Sequence, residues 1–228
     1  MSAPRTPSTA CDPPVATQGP LRGPRSGLAW GGSARRPVSA ARRVLLALVA
    51  GSAVGAAQAA PQEFTIDPAN THVHWELKHF GTSTSRGRFD AINGSITLDR
   101  EAHSGSASFT IATASISTGF ALFDGVLRGP YLLSTEDQPS AYFVARRFGF
   151  EGDQLTTVSG DFTLRGVSQS LTLRALRFSC RMDADPAREV CGGDFETEFK
   201  RSTFGITHSL PFVADRVRLL IQIEASRL

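Results

Sequence analysis

Apolar and polar residues alternate along two long stretches of this chain, and that alternation restricts the fold more than any motif does. Between Asn70 and His79, Val73, Trp75 and Leu77 lie on one face, and Asn70, His72, His74, Glu76 and Lys78 on the other. Between Asp215 and Ser226, Val217, Leu219, Ile221 and Ile223 alternate with Arg216, Arg218, Gln222 and Glu224. A repeat of two is the period of a β-strand with one buried face. His79 falls on the apolar face, so a titratable ring ends an otherwise oily strand. The pattern predicts an apolar interior with a polar station at its mouth, the way ligand-binding barrels are built.

Composition describes this fold only once the leader is set apart. Residues 42–60 read RRVLLALVAGSAVGAAQAA: a basic pair, an apolar run, then Ala57-Gln58-Ala59, the small-residue pattern a signal peptidase accepts. The run is too short to span a bilayer comfortably. Arg42 and Arg43 fit an ordinary basic n-region and also a twin-arginine signal; either route leads out of the cytoplasm. Residues 1–37, rich in Pro, Gly, Ser and Arg, read as a disordered or untranslated leader, with Val38 an alternative start. The expected organisation is leader 1–37, signal peptide 38–59 cleaved near Ala59, and one exported, periplasmic domain over 60–228.

Setting the leader apart reverses the charge. Seven of the 24 basic and one of the 21 acidic residues precede Ala60, which leaves 17 basic against 20 acidic. The whole-chain pI near 9.0 therefore belongs to the leader, and a nucleic-acid partner is not expected. The remaining stretch is long enough for one domain with a sizeable core and holds all fifteen Phe. Its only cysteines are Cys180 and Cys191, on either side of a polar loop containing Pro186. In an oxidising compartment they predict a disulfide stapling a hairpin, a closure contributing about 3 kcal/mol in the chain-entropy estimate. No spacing for a metal site accompanies them.

Further strands are expected over residues 87–98, around Ala107, Phe109 and Ile111, and over 141–150, 155–165, 170–180 and 194–201. The change of parity after Phe89 implies a bulge or bend. With the two alternating stretches the count is about eight, and the expected fold class is all-β: an eight-stranded antiparallel lipocalin-like barrel, with a two-sheet sandwich as runner-up. One short helix interrupts the strands within residues 115–131. Thr118 is its expected N-cap and Gly129-Pro130 its stop, with Phe120, Phe123, Val126 and Leu127 forming an apolar face that needs cover from the barrel.

In order along the chain stand FTIDPANTHVHWELKHFGTSTSRGRF, FDGVLRGPYLLSTEDQPSAYF, VSGDFTLRGVSQSLTL, FKRSTFGI and ADRVRLLIQIEA. Together these blocks resemble the YceI-like family of periplasmic lipid carriers over essentially the whole of 60–228. His74 and the Cys180 to Cys191 loop depart from the family pattern. The resemblance implies an elongated barrel whose cavity takes a long-chain lipid such as a polyisoprenoid, an isoprenoid quinone or a fatty-acid derivative. No cofactor beyond such a ligand is expected. A membrane donor or acceptor protein would be the partner, and monomer and dimer both remain open.

Candidate ligand-binding residues follow from strand parity. Trp75, Phe89, Phe109, Phe162, Phe195 and Phe199, with Phe123 on the helix, are expected to wall the cavity, a role any barrel core would also give them. His79 reads as a core histidine or as a head-group ligand. Arg201 shares its parity with Phe195, Thr197 and Phe199, so it is expected to point inward. A buried guanidinium needs a partner, either Asp124 or Asp161 or an anionic or carbonyl head group. His72 and His74 read as solvated surface rather than a weak metal pair, and Asp124 and Arg128 as an i, i+4 pair. Of Arg146 and Arg147, only one can face inward on a regular strand. No catalytic residue is assigned: GxSxG elbows and paired-carboxylate spacings do not stand out. A membrane-embedded barrel fits poorly, because the charged faces lie opposite the aliphatic ones.

Overall fold

The computed structural model describes residues 60–184 and 188–227. The expected leader 1–37, the expected signal peptide 38–59 and Pro186 lie outside the described residues. Among the described residues eleven strands make one antiparallel sheet. They are β1 (Gln62–Ile66), β2 (His72–His79), β3 (Ser83–Phe89), β4 (Ile92–Asp99), β5 (Ser104–Ala112), β6 (Ile116–Ser117), β7 (Ser140–Glu151), β8 (Gln154–Leu164), β9 (Val167–Met182), β10 (Glu189–Lys200) and β11 (Val213–Arg227).

These strands merge into eight staves. β1 and β2 run along the same side of β11, against its end and its middle respectively. β1 is paired on its other edge with β4, and β2 with β3, so β3 and β4 are the second stave. β5 and β6 form the third, pairing with β4 and β3. β7 to β11 supply the rest, and β11 returns to β1 and β2. The result is a closed eight-stranded antiparallel barrel, which leaves no long unpaired edge. The sandwich alternative is excluded by this closure.

Local chemistry explains the breaks in the staves. Asp67 accepts bonds from the Ala69 N–H at 2.9 Å and from Asn70 Nδ2 at 2.8 Å, a turn that takes Asn70 out of the strand and separates β1 from β2. The expected start of β2 at Asn70 thus moves to His72. Between β3 and β4, the Ser115 hydroxyl accepts from the N–H groups of Asp90 and Ala91 at 3.2 and 3.1 Å. That bend is the parity change after Phe89. In β7 a bulge at Ala145/Arg147 turns both Arg146 and Arg147 outward, so neither arginine enters the core.

The inward faces form one core along the barrel axis, from Phe64 and Leu98 at one end to Phe204 and Ile206 at the other. Outward, β9, β10, β11, β2 and β3 carry a band of ion pairs in which Glu196 takes Arg174 and Arg218, Glu198 takes Arg216 at 2.7 Å, and Glu76 takes Arg86 at 2.7 Å. A charged outer wall is the reverse of a lipid-facing barrel surface.

The helix is α1 (Ala121–Arg128), and it differs from expectation at both ends. Phe120, not Thr118, stands at its N-cap without a side-chain cap. Thr118 instead donates through its N–H and hydroxyl to Asp124 Oδ1, at 2.7 and 2.6 Å. Arg128 reaches the carbonyls of Ala114 and Ile116 at 2.9 and 3.1 Å rather than Asp124, so the helix is bolted to β6 by its C-terminal end. Leu127 packs against the core, whereas Phe120, Phe123 and Val126 are exposed. The expected apolar cover is largely missing.

Candidate functional site

Three cavities follow one another down the barrel axis. The upper one, about 120 Å³, is enclosed by Trp75, Phe89, Phe162, Phe199, Arg201 and aliphatic side chains of β2, β5 and β11. Leu127, Leu132, Leu133 and Ile206 close it over from the connections on either side. Beneath it a cavity of about 40 Å³ shares Val73, Ile111, Phe162 and Leu219 with the first. A third, also about 40 Å³, shares Phe109, Leu173 and Ile223 with the second and ends against Phe64, Phe178, Phe195 and Cys191. The shared walls make the three cavities successive parts of a single apolar column.

The expected residues sort by height. Trp75, Phe89, Phe162, Phe199 and Arg201 line the upper cavity, Phe109 and Phe162 the middle one, and Phe109 and Phe195 the lower one. Two do not line it. Phe123, one turn before Leu127 on the same face of α1, lies where that face leaves the barrel and is 37% exposed, while Leu127 and Arg128 make the contacts to the barrel. His79 ends β2 opposite Val213, and its ring meets that of Phe80 edge-on at 4.6 Å, at the rim rather than in the cavity. Leu127, expected on the apolar face of the helix, does line it, whereas Leu132, Leu133 and Ile206 were missed, since they lie in connections, where no two-residue repeat marks an inward face. Phe162 and Phe199 of the upper cavity wall cluster with Phe204, the three ring centroids lying 5.2–5.6 Å apart.

Trp75 owes its position to Gly87, its partner on β3. A β-carbon at Gly87 would lie 2.6 Å from Trp75 Cζ2 and 2.8 Å from the Ser117 carbonyl, so only glycine leaves room for the indole. The indole N–H is buried without a hydrogen-bond partner.

Arg201 is the one buried cation in the upper wall. It lies just past the end of β10, in a short 3-10 turn over Arg201–Phe204, and keeps the inward parity of Phe195, Thr197 and Phe199. Its partners are neither Asp124, held by Thr118, nor Asp161, bonded by Ser170 at 3.3 Å. Instead Nε donates to the Ala214 carbonyl at 2.9 Å, Nη1 to those of Ile206 and His208 at 3.1 and 2.8 Å, and Nη2 to that of Val213 at 2.9 Å. The fork thus gathers the connection from β10 to β11, with most of its donors committed to backbone. Burial pushes the guanidinium pKa down, and the Asp215 charge opposes that shift. Burial by itself would raise the Asp215 carboxyl; the Ser202 hydroxyl and N–H at 2.7 and 2.8 Å, with Arg201 and Lys200 nearby, hold it below the usual aspartate value.

Cys180 and Cys191 are disulfide-bonded between directly opposed positions of β9 and β10, with Cα atoms 4.0 Å apart. The bond closes the far end of the column. Glu189 lies beside the two sulfurs, but bonded sulfurs offer no thiolate to a metal. His72 and His74 face outward from β2 with ring centroids 6.1 Å apart.

Fold and cavity together define a closed antiparallel barrel with an internal apolar column. The chain belongs to the YceI-like family: the YceI-like domain matches residues 64–225. A UPF0312 protein of Pseudomonas aeruginosa is 30% identical over 190 residues, 82% of this chain and 98% of the relative. Protein YceI of Salmonella arizonae is 31% identical over 182 residues, 78% of this chain and 91% of the relative. Among solved structures, Burkholderia cenocepacia BcnA superposes with a TM-score of 0.59 at 22% identity, covering 70% of this chain and 98% of BcnA. A polyisoprenoid binding domain from Saccharophagus degradans gives 0.54 at 16% identity, over 72% and 98% of the two chains.

Proposed function

We propose that this protein is a non-enzymatic carrier that holds one long apolar chain along the barrel axis and keeps it from water in the periplasm. The observation that carries the reading is the column itself: three cavities in line, sharing walls and lined almost wholly by apolar side chains. An empty apolar space of this kind favours a hydrocarbon guest, each buried methylene contributing about 0.8 kcal/mol. The S. degradans relative is described as polyisoprenoid binding, which supports a polyisoprenoid or an isoprenoid quinone as cargo. A fatty-acid derivative is the alternative within the same geometry.

The polar end of the cargo belongs in the upper cavity. Arg201 puts a buried positive charge in its wall while most of its donors hold the backbone, and Trp75, whose indole N–H is buried without a partner, belongs to the same wall. His79 and Phe123 do not line the column.

Chain-length dependence tests the proposal. Affinity for isoprenoid alcohols is expected to rise steeply with each added unit and then level off once the column is full. Leu173→Trp, which fills the wall shared by the two lower cavities, is expected to move that plateau to shorter chains. Affinity independent of length, in both proteins, would overturn the carrier reading.

A further inference from the structure

Most of the large hydrophobic side chains that this barrel exposes gather at one end, the end that bears the upper cavity. Leu122 is 76% exposed, Tyr131 74%, Phe212 63%, Phe80 and Phe120 60%, and Val126 58%. Some of them are linked in pairs. The Phe80 and Phe212 rings lie 5.8 Å apart, and the Phe80 N–H donates to the Phe212 carbonyl at 2.8 Å. Tyr131 stacks on His208 at 5.8 Å, and Arg201 and Arg165 tie the 206–214 and 130–132 connections to the barrel. α1 continues the rim from Tyr131, with its apolar residues turned out to solvent. Apolar area gathered at one end on this scale, several hundred Å², is the size at which a patch often marks an interaction site.

The geometry points to a phospholipid bilayer surface as the occupant: we infer that the rim inserts among lipid head groups and seats the mouth of the barrel on the membrane. Three features select lipid over a protein partner. The patch consists of separate tips, Phe80, Phe212, Tyr131 and α1, that stand around the upper cavity, a shape suited to a yielding interface. Aromatic rings with polar edges, Tyr131 and the adjoining His208, are the residues that settle at head-group depth. Charge is also divided along the barrel. On the connections of the far end Asp99, Glu101, Glu151, Asp153 and Asp183 outnumber Arg100, Arg181 and Arg188, whereas at the rim Lys78, Arg128, Arg165 and Lys200 stand against Glu136, Asp137 and Asp215, a bias of sign rather than a full separation. An anionic bilayer would therefore draw the rim toward it and repel the opposite pole.

The inference goes beyond the carrier reading and does not need cargo. It is tested on residues 60–228, a segment that contains every strand of the closed barrel, with vesicles of phosphatidylcholine and phosphatidylglycerol. The parent is expected to cosediment with them, and Leu122→Ser/Tyr131→Ser/Phe212→Ser to lose at least about tenfold in partition, because buried apolar area supplies the binding. Unchanged Trp75 emission will show that the barrel is intact. In otherwise native protein, Leu122→Trp is expected to give a blue-shifted emission component on vesicles, and Leu176→Trp, on the barrel wall, none. Equal partition of parent and triple variant, or no partition of the parent, would overturn the inference. So would a dimer of the parent that the triple variant abolishes while vesicle binding is absent, since the second copy would then be what covers the rim.

Discussion

Arg201 shows how little of a buried charge's role can be read from its position in a strand pattern. Parity places its side chain inward, and the structure agrees, but the partners are four carbonyls of the connection between β10 and β11. That connection follows a path that no alternation of side chains encodes, so Asp124 and Asp161 were the natural candidates from sequence. The consequence is a residue whose first duty is architectural. Arg201→Ala would leave buried carbonyls without donors and is expected to destabilise the fold by about 3 kcal/mol, read as a lower denaturant midpoint. A variant as stable as the parent that loses only ligand affinity would instead return Arg201 to the head-group role. Trp75 is the contrasting case. Its inward direction is plain from the repeat, yet its unpartnered N–H depends on Gly87 one strand away.

At the scale of elements, the long alternating strands were legible because each has one face in the core and one in water. β2 and β11 obey the repeat residue by residue, and the bend after Phe89 announced itself as a change of parity. β1 escaped notice because Gln62–Ile66 is short and the Asp67 turn cuts it off from β2, although Phe64 and Ile66 are both buried. α1 was legible as a helix but misread in orientation. An apolar stripe on a helix predicts burial against something; here Arg128 and Leu127 attach the helix to the barrel while the rest of the stripe faces outward. The pairing of β2 with β3 provides a direct check of the strand packing. Gly87→Val would drive a β-carbon into the Trp75 ring and is expected to cost about 1–3 kcal/mol and to red-shift tryptophan emission. In residues 60–228 Trp75 is the only tryptophan, so the spectrum reports that ring alone. Unchanged emission and stability would show that the indole does not lie over Gly87.

The whole molecule is polar in two senses. Its outer wall carries ion pairs while its axis is apolar, and its two ends differ, one stapled by the Cys180–Cys191 disulfide and the other ringed by exposed aromatic and aliphatic side chains. A barrel core filled to ordinary density would have no reason to leave three aligned apolar cavities. That departure from close packing is the central claim's foundation, and the chain-like arrangement of the cavities is what turns it toward a long guest. Native mass spectrometry of the protein purified from the cells that produce it, followed by organic extraction, tests the claim most directly. The account predicts a one-to-one complex whose released molecule is a long-chain lipid. A bare protein that stays bare after incubation with isoprenoid alcohols and fatty acids would contradict it.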